Sequence, residues 1–395
     1  MPYETLRKIY YQNRSDYEQE YQRRFSSISA TVLDISIEGN PAFFMQTQEL
    51  SSLLYQIMVM DKRVSTARYA LPRAAIKQYY VKSLVEEVHQ SLNIEQINST
   101  RKEITIIYKR KKEDRLLGMV TRYNALFAQE TIPLQACSDI RRLYDEICLP
   151  EVIKENPKNA PDGECFRKEP VQVYSNRDNV IHTGLFPESA IIAAMDKALL
   201  LLQNDAINLL YRVAIFHYLF GYIHPYYDGN GRLARFISSY LLSHTLDPLI
   251  GVRLSYTINM EKAKYYKMFK EANNPKNRGD LTPFILGFLE ILLTSYTRLA
   301  EALESRMQRL NAYEKVLDRL LSDKKQQKVA YLLLQVSLFS SEGLTFPEIL
   351  QNCDVGRPTV KAFLDSDKGK IMFPITKDGR RKLYCLNLDW LDQQS

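Results

Sequence analysis

The chain has 395 residues, enough for two or three domains with cores of their own, and its formal net charge of +7 is mild for that length and spread rather than concentrated. Its longest apolar runs, Ala206 to Ile223 and Phe284 to Leu293, are interrupted by Asn208, Arg212, His217 or Glu290 and fall short of an uninterrupted membrane span. The five cysteines (137, 148, 165, 353, 385) form no Cys-x-x-Cys pair and the five histidines (89, 182, 217, 224, 244) no metal-ligand spacing, which speaks against a disulfide framework or a zinc site; with no secretory signal at Met1-Pro-Tyr-Glu-Thr, a soluble cytoplasmic protein without a membrane partner is expected.

From Met1 to about Glu103 the pattern is helical, with few glycines and long mixed runs at Phe43 to Lys62 and Ala74 to Leu92. The basic cluster Lys109-Arg-Lys-Lys-Glu-Asp-Arg115 is short and reads as a solvated connector rather than a nucleic-acid arm. Leu116 to Leu149 is helical again, with Ile140, Leu143, Tyr144 and Ile147 on one face. Asn156-Pro-Lys-Asn-Ala-Pro-Asp-Gly163 is a loop by composition. Beyond it Val171 and Val173 alternate with Gln172 and Tyr174 in strand fashion, Asn176-Arg-Asp-Asn179 supplies a turn, and Val180-Ile-His-Thr-Gly184 returns as a second strand. A helix from Pro187 through Leu202 then leads, by way of Gln203-Asn-Asp, to the apolar run ending at Ile223.

The next twelve residues, His224-Pro-Tyr-Tyr-Asp-Gly-Asn-Gly-Arg-Leu-Ala-Arg235, read as a loop feeding a helix. Gly229, Asn230 and Gly231 reach backbone conformations closed to bulkier residues, so their N–H groups suit an anion nest at a helix N-terminus. Arg232 and Arg235 add side chains that grip phosphate oxygens. His224 is a candidate base near neutral pH, and Asp228 a hard oxygen ligand suited to Mg²⁺. A Walker-type loop fits poorly, because the Gly-Lys-Ser/Thr ending is missing.

Leu254 to Ala272 reads as a further helix, Gly279-Asp280 breaks the chain, and Phe284 to Leu293 is an apolar helix that closes the core. Leu299, Leu303, Leu310, Tyr313, Leu317 and Leu320 follow heptad spacing with Arg306 in the missing seam position, a stripe suited either to a second copy in a homodimer or to packing within the molecule. From Gln326 to Trp390 the pattern is that of a winged helix-turn-helix: helices at Lys328–Leu338, Thr345–Cys353 and Arg357–Leu364, then a hairpin from Phe373 turned at Lys377-Asp-Gly379 and returning through Leu386. DNA binding there would use Arg357 and Lys361 in a groove and Arg380, Arg381 and Lys382 on phosphates, yet nine Lys/Arg face eight Asp/Glu beyond Gln326, which favours protein contact over DNA.

The stretch from His224 to Arg235 resembles the signature of the Fic family, His-Pro-Phe-x-Asp/Glu-Gly-Asn-Gly-Arg-x-x-Arg, departing only with Tyr226 for Phe. The resemblance implies a mainly α chain, a Fic helical bundle with a β-hairpin flap plus the C-terminal winged helix. The expected divisions are a helical region at 1–105, a catalytic core at 106–298, a helical linker at 299–325 and the winged helix at 326–395. It implies transfer of AMP from ATP to a hydroxyl of a target protein: His224 deprotonates the hydroxyl, Asp228 holds Mg²⁺, Gly229, Asn230, Gly231 and Arg232 cradle phosphates, and Arg235 orients the γ-phosphate. Ser91-Leu-Asn-Ile-Glu95 resembles the family's inhibitory motif, in which the glutamate pairs with the last arginine and blocks productive ATP binding; Gln96 departs from the usual Gly or Asn. A second candidate, Asp34-Ile-Ser-Ile-Glu38-Gly39, has the Glu-Gly ending but not the start, and Glu95 is preferred. By the same resemblance Val180, Ile181, His182, Thr183 and Gly184 belong to a flap whose edge pairs with the target's main chain, and Tyr265 or Tyr266 stacks on adenine. The alternatives are a nucleotide-sensing transcriptional regulator working through the winged helix, and removal of AMP with Glu95 aligning a water.

Overall fold

Helical periodicity becomes helix along most of the chain in a computed structural model that describes residues 3–111, 113–174 and 180–394, the side chains of Tyr174, Val180 and Ile181 excepted. Two compact units form, Met1–Asp61 with Leu84–Thr297, and Lys62–Ser83 with Arg298–Ser395. In chain order the elements are α1 (Leu6–Gln12), α2 (Arg14–Phe25), β1 (Ala30–Ile37), β2 (Asn40–Met45), α3 (Gln48–Ala70), α4 (Arg73–Ile94), α5 (Arg101–Arg110), α6 (Leu117–Phe127), α7 (Cys137–Ile147) and α8 (Leu149–Glu155). There follow β3 (Gln172–Tyr174), β4 (Val180–Thr183), α9 (Glu188–Leu202), α10 (Leu209–Ile223), α11 (Asn230–Thr245), α12 (Leu254–Met260), α13 (Lys262–Ala272) and α14 (Thr282–Leu320). The chain closes with α15 (Lys324–Phe339), α16 (Phe346–Asn352), α17 (Arg357–Asp365), α18 (Asp367–Met372), β5 (Ile375–Asp378), β6 (Arg381–Tyr384) and α19 (Leu388–Asp392).

The first unit is organised on α10, the most apolar helix, whose residues from Leu210 to Ile223 are buried except Gly221. Asn208 starts it by accepting a hydrogen bond from the Leu210 amide (2.9 Å). Both α9 and α11 pack on α10, so the loop between α10 and α11 hangs from two buried helices. The expectation of helix from Met1 to Glu103 fails at residues 30–45, which form an antiparallel hairpin with Ile37 opposite Asn40 and a bulge between Val32 and Ser36. Leu33 and Ile37 face inward while the bulge breaks strict alternation, so the segment lacks a clean strand period. Phe43 on β2 joins Leu6, Tyr21 and Met45 in a core, and bridges to Asp280, itself buried with the Tyr3 hydroxyl (2.6 Å) and the Thr282 amide (2.9 Å).

The helical stretch expected from Leu116 to Leu149 consists of two helices, α6 and α7, separated around Pro133, whose missing N–H and fixed φ suit a break. Conversely, the helices expected at Phe284 to Leu293 and Leu299 to Leu320 are one, α14, because nothing between them stops a helix. That helix is long and apolar enough to cross a membrane by composition, but 67% of its most apolar window is buried inside the protein. The strands β3 and β4 pair with Val173 opposite His182, as the alternation suggested; the turn expected at Asn176–Asn179 lies outside the described residues.

In the second unit the heptad stripe of α14 is buried at Leu299, Leu303, Leu310, Tyr313 and Leu317 within the same chain. Arg306, in the seam, donates to the Leu338 carbonyl (3.1 Å) and lies 5.2 Å from the Tyr79 ring centroid. Thr345 and Glu348 cap α16 reciprocally, Pro358 sits in the first turn of α17, and β5–β6 turn at Gly379 (φ +58°), with Leu344 bridging to Tyr384.

Candidate functional site

Helix α10 ends at His224, which takes the left-handed conformation (φ +52°, ψ +62°) while its N–H still donates to the Phe220 carbonyl (3.0 Å). Pro225 prevents the helix resuming there. The loop is closed by Asn230: its Oδ1 accepts from the Tyr226 amide (2.9 Å) and its Nδ2 donates to the Tyr226 carbonyl (2.7 Å). Tyr226 stacks on Tyr144 with centroids 3.7 Å apart and meets Phe166 edge-on, while the Tyr144 hydroxyl donates to the Asp228 carbonyl (3.2 Å). Gly229 stands at φ +84° as the N-cap of α11, and a Cβ on it would lie 3.0 Å from Cys148 Cβ, so both backbone and space demand glycine. Burial pushes the Cys148 thiol up to about 12, which makes it a packing group beneath the loop.

At Gly231 the same reasoning finds something else. A Cβ there would lie 2.2 Å from Glu95 Oε1 and 2.9 Å from Arg235 Nη1. The Glu95 carboxylate therefore rests on the first turn of α11, where unpaired N–H groups and the helix dipole attract an anion. Arg235, buried, donates Nη2 to Glu95 Oε1 (2.8 Å) and to the Ser91 carbonyl (2.9 Å), and Nε to Ser91 Oγ (3.2 Å). Glu95 follows directly on the end of α4, and Gln96 supplies the left-handed cap (φ +62°) although Gly or Asn was the residue expected there. The other candidate, Glu38, sits on the exposed tip of the β1–β2 hairpin and not on a helix, with its amide donating to the Tyr222 hydroxyl (3.0 Å).

Arg232 is buried, paired with Glu151 of α8 through Nη1 and with Asp228 Oδ1 through Nη2 (2.9 Å). Asp228 Oδ1 also accepts the Gly229 amide (2.5 Å), and its side chain is 36% exposed. No group of three or more His, Cys, Asp or Glu able to hold a metal occurs among the described residues; Asp228 is the loop's own, partly exposed carboxylate. That fits Mg²⁺ brought by a nucleotide, an ion that takes one or two carboxylates and completes its shell with phosphate oxygens and water.

Desolvation pushes the His224 imidazole down to about 4, and the neighbouring Arg167 charge acts in the same direction. Its Nδ1 is 3.4 Å from the Gly221 carbonyl. The flap packs on it: a Cβ on Gly184 would lie 2.9 Å from His224 Cβ and 2.5 Å from Arg167 Nη2. Arg167, fully buried, donates to the carbonyls of His224 (3.0 Å), Glu169 (2.6 Å) and Leu185 (2.8 Å), joining flap base and loop through one guanidinium. His182 Nε2 is 2.6 Å from the Tyr222 carbonyl, Thr183 pairs with Gln172 and Val180 with Tyr174, and Ile181 falls within β4 at the irregularity in register. The Tyr265 hydroxyl is 2.8 Å from His217 Nε2, whose Nδ1 meets Ser238 Oγ (2.8 Å), so Tyr265 is tied into the core, whereas Tyr266 is 45% exposed.

The structure thus brings together His224, Asp228, Gly229, Gly231, Arg232, Arg235, Ser91 and Glu95, with Gly184 against His224. Four contributors were not foreseen as such: Glu151, Tyr144, Arg167 and Arg115, the last read as solvated although its side chain is 15% exposed and ion-paired with Glu151.

The model of the Fic/DOC family matches residues 137–242. The protein adenylyltransferase fic-1 of Caenorhabditis elegans is 28% identical over 154 residues, covering 38% of this chain and 28% of that protein. The protein adenylyltransferase Fic of Nematostella vectensis is 36% identical over 72 residues, covering 18% and 15%. The chain therefore spans under a third of the length of the curated relatives it matches. A Fic family protein from Desulfovibrio desulfuricans G20 superposes with a TM-score of 0.54 at 19% identity over 87% of this chain and 97% of its own, which supports the fold. The span from α7 into α11, with the loop near its C-terminal end, is thus similar to the Fic/DOC family.

Proposed function

We propose that the chain is a protein adenylyltransferase, moving AMP from Mg·ATP to a Ser, Thr or Tyr hydroxyl of a target protein, and that Glu95 holds the activity low. The observation that carries this reading is the Glu95 carboxylate resting on Gly231 at the start of α11 and bound to Arg235 (2.8 Å): an anion from the chain itself occupies the place that suits phosphate. Withdrawal of Glu95 would leave Arg235 without its carboxylate partner and the loop amides open to a triphosphate.

His224, resting at about 4, is unprotonated at pH 7, and phosphate charge arriving beside it would raise its proton affinity as the target hydroxyl comes up. When bound, Mg²⁺ would neutralise phosphate charge, with Asp228 as its protein ligand. The target's main chain would lie along the edge of β3–β4, whose Gly184 end touches His224, and so present its hydroxyl with little demand on sequence.

The test is labelling from [α-³²P]ATP, of the protein itself and of a lysate. Glu95→Gly is expected to raise labelling by about tenfold or more, the scale of losing one buried charge-assisted contact. Adding His224→Ala should reduce it by roughly 10² to 10⁴, the usual worth of a general base. Undiminished labelling in that double variant would remove His224 from the reaction.

A further inference from the structure

Arg232 and the turn after Glu95 are joined by a chain of polar contacts that the loop's own residues do not require. At its centre is Glu151 of α8, 1% exposed, whose two oxygens go to different arginines. Oε2 accepts from Arg232 Nη1, and Oε1 from Arg115 Nη1 (3.3 Å). Arg115 uses its other nitrogen to donate to the Asn98 carbonyl (2.8 Å), three residues beyond Glu95. Arg232 in turn holds Asp228 (2.9 Å). The path therefore runs Asp228, Arg232, Glu151, Arg115, Asn98, and ends beside the glutamate that occupies the anion site.

A buried carboxylate between two guanidiniums is satisfied in few arrangements, and the planar guanidinium fork transmits direction as well as charge. Movement of Arg232 toward a phosphate would disturb Glu151, then Arg115, then the carbonyl that Arg115 secures. Other contacts hold the same turn, among them Lys262 Nζ to the Ile94 carbonyl (3.1 Å) and His89 Nδ1 to Ser99 Oγ (3.1 Å), but these come from α13 and α4 and do not reach Arg232.

We infer that Glu151 is a positioning residue with two roles: it fixes Arg232 against Asp228, and through Arg115 it secures the turn that keeps Glu95 in place. This rests on the nucleotidyl-transfer reading above. Occupation of the loop and release of Glu95 are then linked through one buried carboxylate.

The full chain is compared as parent, Arg115→Met, Glu95→Gly and the double variant, with [α-³²P]ATP as the probe. Arg115→Met should raise self-labelling about threefold to tenfold in the parent, the scale of one charge-assisted hydrogen bond lost from the turn. Where Glu95 is already Gly it should change labelling by less than about twofold, because there is no inhibitor left to release. An equal rise in both backgrounds, or none in the parent, overturns the link. Amide hydrogen exchange at residues 96–100 reads the same contact without catalysis: faster exchange in Arg115→Met is expected, and unchanged exchange overturns it. For the other arm, Glu151→Gln in the Glu95→Gly background should raise the Mg²⁺ concentration for half-maximal labelling by about threefold or more, since Asp228 loses its fixed partner. Parental Mg²⁺ dependence in a folded Glu151→Gln protein overturns that arm, and the Arg115 results decide the link to Glu95 whether or not this variant folds. No labelling with Glu95→Gly alone would count against the transfer reading, while amide exchange still judges the link.

Discussion

The turns at Glu38-Gly39 and Glu95-Gln96 resemble each other in backbone terms, with φ of +48° and +75° in the first and +62° at Gln96 in the second. Their surroundings differ. A Cβ on Gly39 would meet nothing within 4 Å, and Glu38 projects from a hairpin tip into solvent. Glu95 ends a helix pinned from several sides: Glu87, on the same face two turns earlier, accepts the Ser255 and Tyr256 amides (2.7 and 3.1 Å), and Ser91 between them meets Arg235. The Glu-Gly spelling at residue 38 describes an easy turn; where a carboxylate goes is decided by the packing of the helix that carries it. Gln96 accepts the left-handed cap because contacts elsewhere on α4 outweigh a strain of about 1 kcal/mol.

The largest contrast is catalytic. If Glu95→Gly raises labelling about tenfold and Glu38→Gly leaves it within about twofold, the two turns are functionally as different as their packing. A rise with Glu38→Gly alone would reverse the assignment. Next in size is the pH profile of the Glu95→Gly protein. Because His224 is depressed to about 4, kcat/KM should hold as pH falls through 6 and drop only toward about 4; a midpoint near 6.5 would show an ordinary solvated imidazole.

The same burial sets a stability window. His217 and His224 both have folded values below the unfolded reference of about 6.5, so the unfolded chain binds more protons between those limits. Their contribution is complete above about 6.5 and is lost as pH falls toward about 4 for His224 and about 3 for His217, a loss that urea melts at stepped pH would follow. Smallest are the backbone effects: Gly39→Ala should cost about 1 kcal/mol, and Gln96→Gly should gain up to about 1 kcal/mol, by urea midpoint. Equal and opposite shifts would show that the residue at the left-handed position, rather than its surroundings, sets each cost.

Much of the site was readable because it is local: twelve consecutive residues hold His224, Asp228, the loop glycines and both arginines, and their spacing alone requires a bend between helices. Glu95 lies far from them along the chain and was found through its resemblance, not its physics. Glu151 and Arg115 escaped notice because an isolated glutamate and the end of a basic run look like solvated surface until folding brings them together. The hairpin at residues 30–45 was missed because its bulge spoils the two-residue period, and α14 was divided because the polar run Thr294-Ser-Tyr-Thr-Arg298 interrupts the apolar pattern without interrupting a helix.

The left-handed backbone at residue 224 decides how the imidazole is best removed. Alanine has no side-chain group to compensate that conformation, whereas asparagine tolerates it better than other residues with a Cβ. Exchange to asparagine should therefore delete the imidazole while preserving the bend and the grip of Arg167 on the carbonyl at that position, making it the cleaner inactive form for trapping a bound nucleotide.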